Sequence, residues 1–303
     1  MAAAQPYPAR PVRVLVGFTP GGGTDINARL LTPKLSAYLG QPFVVENRPG
    51  ATTNVATEAV AKATPDGYTL LFTTTALAIN ASLYKNLRYD ALRDLAPVSV
   101  LCESPNLLVA GPGLAAKSVA ELIATARAKP GALNYSSAGT GTSQHLAGEL
   151  FKLRTGTDIV HIPFKGTDPS LTAVVAGDVQ FSFANIPAIL GRVKGGRLRA
   201  LAVAGSRRTD LMPEVPTMKE AGVEGVEVPV WYALLAPAGT PREIVATLAG
   251  AIARATREPD FRKRLQDEGT DPIGNTPEAF QKMLREEISK YAEVVKLSGA
   301  HAD

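Results

Sequence analysis

Cysteine, tryptophan and histidine are scarce: 1, 1 and 3 copies in 303 residues. The lone Cys102 excludes an intrachain disulfide and any metal site built from cysteine pairs. Three histidines leave few members for a nucleophile–base–acid set. No His/Asp/Glu cluster has ligand spacing, so neither a metal nor another cofactor is expected. No apolar run approaches the roughly 18 residues of a membrane span. The net charge is +4, with Lys and Arg scattered and never interleaved with aromatics in a run, which argues against a nucleic-acid partner. The start, 1-MAAAQPYPARPVRV-14, lacks a charged region followed by an apolar one. The chain is therefore expected to be cytoplasmic, or to be a mature form without its signal peptide.

What is present suffices for two domains and a large core, at 45% hydrophobic and 20% charged residues. The strand 12-VRVLVGF-18, a helix from about Asp25 to Tyr38 containing Pro33, the strand 43-FVVEN-47, a helix near Thr53 to Lys62 and the strand 69-TLLFTT-74 follow one another. That βαβαβ order predicts a parallel sheet with right-handed crossovers. The long extended segment 97–112, broken by Pro105, reads as a strand passing into a second unit. There, helices at Val119–Ala128, Gln144–Arg154, Pro169–Ala176 and Pro187–Val193 alternate with strands at 133–139, 159–164, 179–185 and 198–205. The stretch 226-VEVPVWYALLAPAGTP-241 reads as the return crossing, with Trp231 packed at the hinge. Two amphipathic helices follow, one carrying Ile244, Val245, Leu248, Ile252 and Ala255, the other Phe280, Met283, Leu284, Ile288, Tyr291 and Val295. The predicted architecture is α/β with two domains, residues 1–104 plus 227–303 and residues 105–226, joined by two extended strands around a cleft.

Two loops stand out. The first, 18-FTPGGGTD-25, ends a strand and opens a helix. Phe18, Pro20, Gly21, Gly22 and Gly23 would bring bare backbone and a helix N-terminus to an anion; Asp25 reads as a cap as readily as a contact. The motif is neither a dinucleotide fingerprint, since Ile26 replaces a required glycine, nor a P-loop. The second, 135-YSSAGTGTSQHL-146, offers Ser136, Ala138, Gly139, Thr140, Gly141, Thr142, Ser143 and His145 in the same setting. No Ser lies in G-x-S-x-G, and His145 lacks an evident acidic partner. Further strand ends supply Thr74, Thr75 and Asn80, then Phe164, Lys165 and Gly166, then Phe183 and Asn185. One such loop alone is a weak signal; two in opposite domains would form a pincer. An enzyme using His145, Lys165 or Asp168 as acid or base is the rival reading.

The blocks 18-FTPGGGTDINARLL-31, 42-PFVVENRPGA-51, 65-PDGYTLLF-72, 135-YSSAGTGTSQHLAGELF-151, 162-IPFKGTDPSL-171 and 231-WYALLAPAGTP-241 resemble, in order and spacing, the Bug (TctC-type) extracytoplasmic receptors of tripartite tricarboxylate transporters. The resemblance implies a Venus-flytrap fold of the periplasmic-binding-protein type and a periplasmic location. It also implies a monomer without catalytic residues that passes a small carboxylated solute to membrane transporter components. The carboxylate would be pinched between Pro20–Gly23 and Ser136–Ser143, with Phe164–Gly166 and the residues near Thr74 and Phe183 facing the rest of the ligand. A dicarboxylate, an acidic amino acid and an aromatic carboxylate all remain open. So does a sensor that signals to a membrane kinase.

Overall fold

The computed structural model describes residues 7–302. Three β-rich runs pair first: β1 (Val12–Val16) lies parallel to both β2 (Phe43–Asn47) and β3 (Thr69–Thr74). The crossovers are α1 (Gly23–Leu39) and α2 (Asn54–Ala61), and α3 (Ala76–Leu83) leaves β3. Helix α1 runs through Pro33, which sits on the exposed face where solvent can take up the carbonyl it frees. The chain then leaves through β4 (Leu95–Ser104), which continues across Pro105 into β5 (Asn106–Ala110) of a second sheet.

That second sheet adds β6 (Leu133–Ser137), β7 (Ile159–Pro163), β8 (Phe181–Asn185) and β9 (Arg199–Ala204) in the order β7-β6-β8-β5-β9. It carries α4 (Val119–Ala128), α5 (Ser143–Thr155), α6 (Thr167–Ala176) and α7 (Ile186–Lys194). The return strand β10 (Val230–Pro237) rejoins the first sheet, antiparallel to β3 and β4. Residues 226–229 ahead of it are unpaired in any ladder, so the return crossing is shorter than the expected 226–241. Helices α8 (Arg242–Arg257), α9 (Pro259–Asp267) and α10 (Pro277–Ser298) finish the fold, with β11 (Asp271–Pro272) completing the order β11-β4-β10-β3-β1-β2. The amphipathic faces read from sequence are the ones buried: Leu248, Ile252 and Ala255 on α8, and Phe280, Leu284, Tyr291 and Val295 on α10. The short α9, which begins at a proline, was not foreseen.

Each sheet thus anchors one lobe. Trp231 is buried and meets Phe280 edge-on at 5.6 Å, the hinge packing expected of it. A large side chain buried in this way contributes on the order of 2 kcal/mol. The carboxyl ends of β1, β2 and β3 lie side by side, Val16 facing both Asn47 and Phe72. The loops that leave them face those leaving β6, β7 and β8.

Candidate ligand-binding site

The two glycine-rich loops meet. Phe18 and Ala76 of the first lobe form a small buried cluster with Ala138 of the second. Helix α1 also touches α7, and α10 touches α5, so the lobes are closed on each other.

The first loop ends on Gly22, the N-cap of α1, with no side chain capping the helix. Its first-turn amides therefore keep no side-chain partner. Asp25 braces the loop from beneath. It accepts from the Gly21 N–H at 3.1 Å, from Arg29 Nε at 3.0 Å on both oxygens, and from Asn47 Nδ2 at 3.0 Å. Asn47 Nδ2 also donates to the Phe18 carbonyl at 3.0 Å. Burial pushes the Asp25 carboxyl up, but those hydrogen bonds and the Arg29 charge outweigh it and hold the group below its usual range.

The second loop is tied to itself. The Ala138 N–H donates to Gln144 Oε1 at 2.7 Å, the Gly139 N–H to Ser137 Oγ at 3.1 Å and the Gly141 N–H to His145 Nδ1 at 3.2 Å. Thr142 Oγ1 caps α5 by accepting from the His145 N–H and donates to the Gly139 carbonyl at 2.8 Å. The His145 ring stacks on His161, centroids 4.2 Å apart, and His161 Nε2 lies 2.7 Å from Ser137 Oγ. Burial, then the His301 charge, pulls His145 down to about 4; burial, then the His145 and Lys152 charges, takes His161 to about 3. Both rings are neutral supports behind the loop.

At the seam, four glycines each receive a polar side chain from the opposite lobe. A β-carbon on Gly23 would strike Asn185 Oδ1, and also the Tyr232 hydroxyl of its own lobe. One on Gly141 would strike Asn80 Oδ1, and one on Gly166 would strike Thr19 Oγ1. One on Gly139 would lie 2.9 Å from Thr52 Oγ1. What comes closest to this glycine-rich backbone is the other lobe. Gly22 has more room, its β-carbon position being 3.6 Å from Thr167 Oγ1. Among the described residues, the buried atoms Thr19 Oγ1, Asn80 Oδ1, Asn185 Oδ1 and Tyr232 Oη have no hydrogen-bond partner. A buried unpaired polar atom costs about 1–3 kcal/mol. Helices α1 at Gly22, α6 at Gly166 and α7 at Asn185 start here without a side-chain cap. Their partial positive ends favour an anion.

Several expected contacts have partners within their own lobe. Phe183 is fully buried against Phe151, 5.9 Å between centroids. Asp25 is consumed under the first loop. Ser136 Oγ is buried, accepting from Ser170 Oγ at 2.7 Å. Thr74 Oγ1 accepts from the Ala76 N–H, and Thr75 Oγ1 joins the return strand through the Pro229 carbonyl and the Trp231 N–H. Ser143 Oγ accepts from Asn106 Nδ2 at 3.0 Å. His145, Gly139 and Gly141 brace their own loop. Pro20, Gly21 and Lys165 are exposed, while Thr140 and Phe164 are half-buried at the seam's margin. Asp168, proposed as an acid or base, is paired with Arg192 at 2.6 Å.

Sequence reasoning missed Thr19, Thr52, Thr167 and Tyr232. Alternation along β10 could have exposed Tyr232, since it must face opposite to Trp231. Thr52 gave no signal, because β-branched residues seldom adopt its φ of 47°.

Comparison with known proteins agrees with this fold. Residues 27–299 match the TctC family, described as the tripartite tricarboxylate transporter family receptor. The protein BugT of Bordetella pertussis is 39% identical over 98% of this chain and 92% of its own length. The structure of R. palustris Rpa4515 with adipate is 38% identical, with a TM-score of 0.95, covering 97% of this chain and 99% of that one. MatC from Rhodopseudomonas palustris with bound malate is 36% identical, with a TM-score of 0.91, covering 95% and 100%.

Proposed function

This chain belongs to the TctC family of tripartite tricarboxylate transporter receptors, and from that premise we propose that it captures a small carboxylated solute by closing two lobes. The lobes are residues 1–104 with 227–303 and residues 105–226. The observation that carries the reading is the seam, where uncapped helix N-termini from both lobes and the unpartnered hydroxyls of Thr19 and Tyr232, which can donate, meet bare glycine backbone. A carboxylate seated there would accept charge-assisted hydrogen bonds, each worth about 1.5–3 kcal/mol net. Three or four of them would supply the roughly 8 kcal/mol of micromolar binding after ordering costs. The Pro20–Gly23 loop would act as the main donor, with Thr140 and the Phe164–Gly166 segment at the other jaw.

The protein holds its ligand and does not transform it. His145 is tied to Gly141 and Asp168 to Arg192, so two of the three rival acid–base candidates already have partners. It acts in the periplasm as a monomer and hands its solute to membrane components of the transporter, which read the closed state. No helix among the described residues is long and apolar enough to cross a membrane, consistent with that role. The relatives that hold adipate and malate support a carboxylate ligand.

A thermal-shift screen of small carboxylates tests this, because a ligand that binds only the folded state raises apparent stability. At least one acid should raise the midpoint and be recovered unchanged after incubation. Turnover of the bound acid, or no response to any carboxylate, would defeat the reading.

A further inference from the structure

The atoms left unpartnered at the seam differ in what they can do. Thr19 Oγ1 and Tyr232 Oη can donate or accept, but the carboxamide oxygens of Asn80 and Asn185 only accept. The orientation of Asn80 is fixed by its other end: Nδ2 donates to the Thr52 carbonyl at 2.7 Å and to Asn54 Oδ1 at 2.9 Å. Asn54 Oδ1 is in turn held by the Tyr89 hydroxyl at 2.6 Å. The Thr52 carbonyl is aimed by an unusual turn, in which Ala51, Thr52 and Thr53 take φ values of 43°, 47° and 75°. Two threonines in the left-handed region are strained, and such strain persists only where surrounding contacts hold it. A flipped Asn80 carboxamide would lose both bonds, so the oxygen is the atom presented to Gly141. Asn106, where β5 begins, repeats the pattern: Nδ2 donates to Ser143 Oγ and to the Val228 carbonyl, and Oδ1 is left unpartnered.

An acceptor-only oxygen repels a carboxylate oxygen and pairs with a hydroxyl or an ammonium. We propose that the ligand carries, besides its carboxylate, a hydrogen-bond donor on its carbon skeleton, received by the carboxamide oxygen that Asn80 presents at Gly141 of the second glycine loop. This rests on the carboxylate-receptor reading and narrows it to hydroxy- or amino-substituted acids over plain diacids.

Calorimetry with matched acids of four to six carbons tests it: succinate, malate and aspartate; glutarate, 2-hydroxyglutarate and glutamate; adipate, 2-hydroxyadipate and 2-aminoadipate. In at least one series the substituted acid should bind about tenfold or more tightly than the plain one, or about 1.4 kcal/mol. Whether the hydroxyl or the amino member wins identifies the donor. Asn80→Ala, checked for a wild-type-like melting profile, should shrink that preference while weakening the plain diacid less, and Asn185→Ala should shrink it less than Asn80→Ala does. Plain diacids binding as tightly as substituted ones would overturn the inference and leave the carboxylate receptor standing. Failure of every acid to bind would overturn both. The wild-type comparison alone decides if either variant fails to fold.

Discussion

The two glycine loops look alike in sequence, yet they are built differently. In the loop of residues 18–25, one buried carboxylate below the backbone carries the bracing, and the start of α1 has no side-chain cap. In the loop of residues 136–145, a hydroxyl, a carboxamide and an imidazole occupy three amides of the turn itself. Similar glycine content therefore serves two ends. The first loop leaves donors facing the seam, and the second presents a rigid surface for the first lobe to close on. Hydroxyl-rich does not mean available: Ser136, Ser137, Thr142 and Ser143 all have partners inside the second lobe.

The largest expected effect tests the first loop. Gly22 has an ordinary extended φ of −84°, so a side chain there brings no backbone strain, and a methyl group fits beside Thr167. Gly22→Ala should bind nearly as wild type. Gly22→Leu should push on Thr167 only as the lobes close, weakening ligand binding about a hundredfold, or roughly 2.7 kcal/mol. Its melting temperature without ligand should stay within about 2 °C. Calorimetry showing wild-type affinity for the leucine variant would mean that this loop does not contact the ligand.

Next comes the brace. Asp25→Asn keeps the shape but removes the charge that gathers Arg29, Asn47 and the Gly21 N–H. Urea unfolding should report a loss of about 1–3 kcal/mol, with weaker ligand binding as the loop loosens. The matching substitution Gln144→Ala in the second loop, which frees the Ala138 N–H, should cost less, about 1 kcal/mol. Equal losses would erase the contrast between the loops.

The loops also separate by pH. Below the unfolded histidine pKa of about 6.5, the unfolded chain takes up protons that folded His145 and His161 refuse until about 4 and about 3. Their contribution to stability is therefore complete above about pH 6.5 and declines as the pH falls toward 4. Asp25, held low by its partners, adds its own loss only as the pH drops below the ordinary carboxylate range. Melting temperature against pH should show the histidine limb first. His161→Phe, which keeps a ring against His145, should flatten that limb and leave the more acidic one. An unchanged profile would remove His161 as a cause.

The sequence carried the architecture well because the relevant signals are local: β-branched runs, helix-period apolar faces, glycines at strand ends and the break at Pro105 between β4 and β5. The pairing of the two loops was legible for the same reason. The fate of individual polar atoms was not. Ser136 and Thr140 are both hydroxyl residues of one loop, and only the packing of α6, which brings Ser170 against Ser136, decides that one is consumed. Phe183 was no easier to place: in a five-residue strand buried on both faces, alternation cannot say which face meets the cleft. Asn80 was legible as a polar residue after β3, but its meeting with Gly141 depends on the opposite lobe's position, a long-range fact that no local pattern encodes.

The smallest effect belongs to the back of the hinge. There a cavity of about 550 Å³, lined by Glu103, Pro105, Arg207 and Asp271 among others, lies away from the glycine loops. Arg207 Nη2 bonds both oxygens of Asp271 at 3.1 and 2.9 Å, linking the segment after β9 to β11 of the other sheet. The pair looks like a latch, but its side chains are 61% and 51% exposed, so water competes for both charges. Such pairs contribute about 0–1 kcal/mol and fade with salt. Arg207→Ala should therefore change urea stability by no more than about 0.5 kcal/mol, and ligand affinity less than about threefold. If closure were governed from behind, losing this link would shift the open–closed balance and the affinity with it. A tenfold change in affinity in 0.15 M salt, with stability unchanged, would move control of closure from the glycine seam to the hinge.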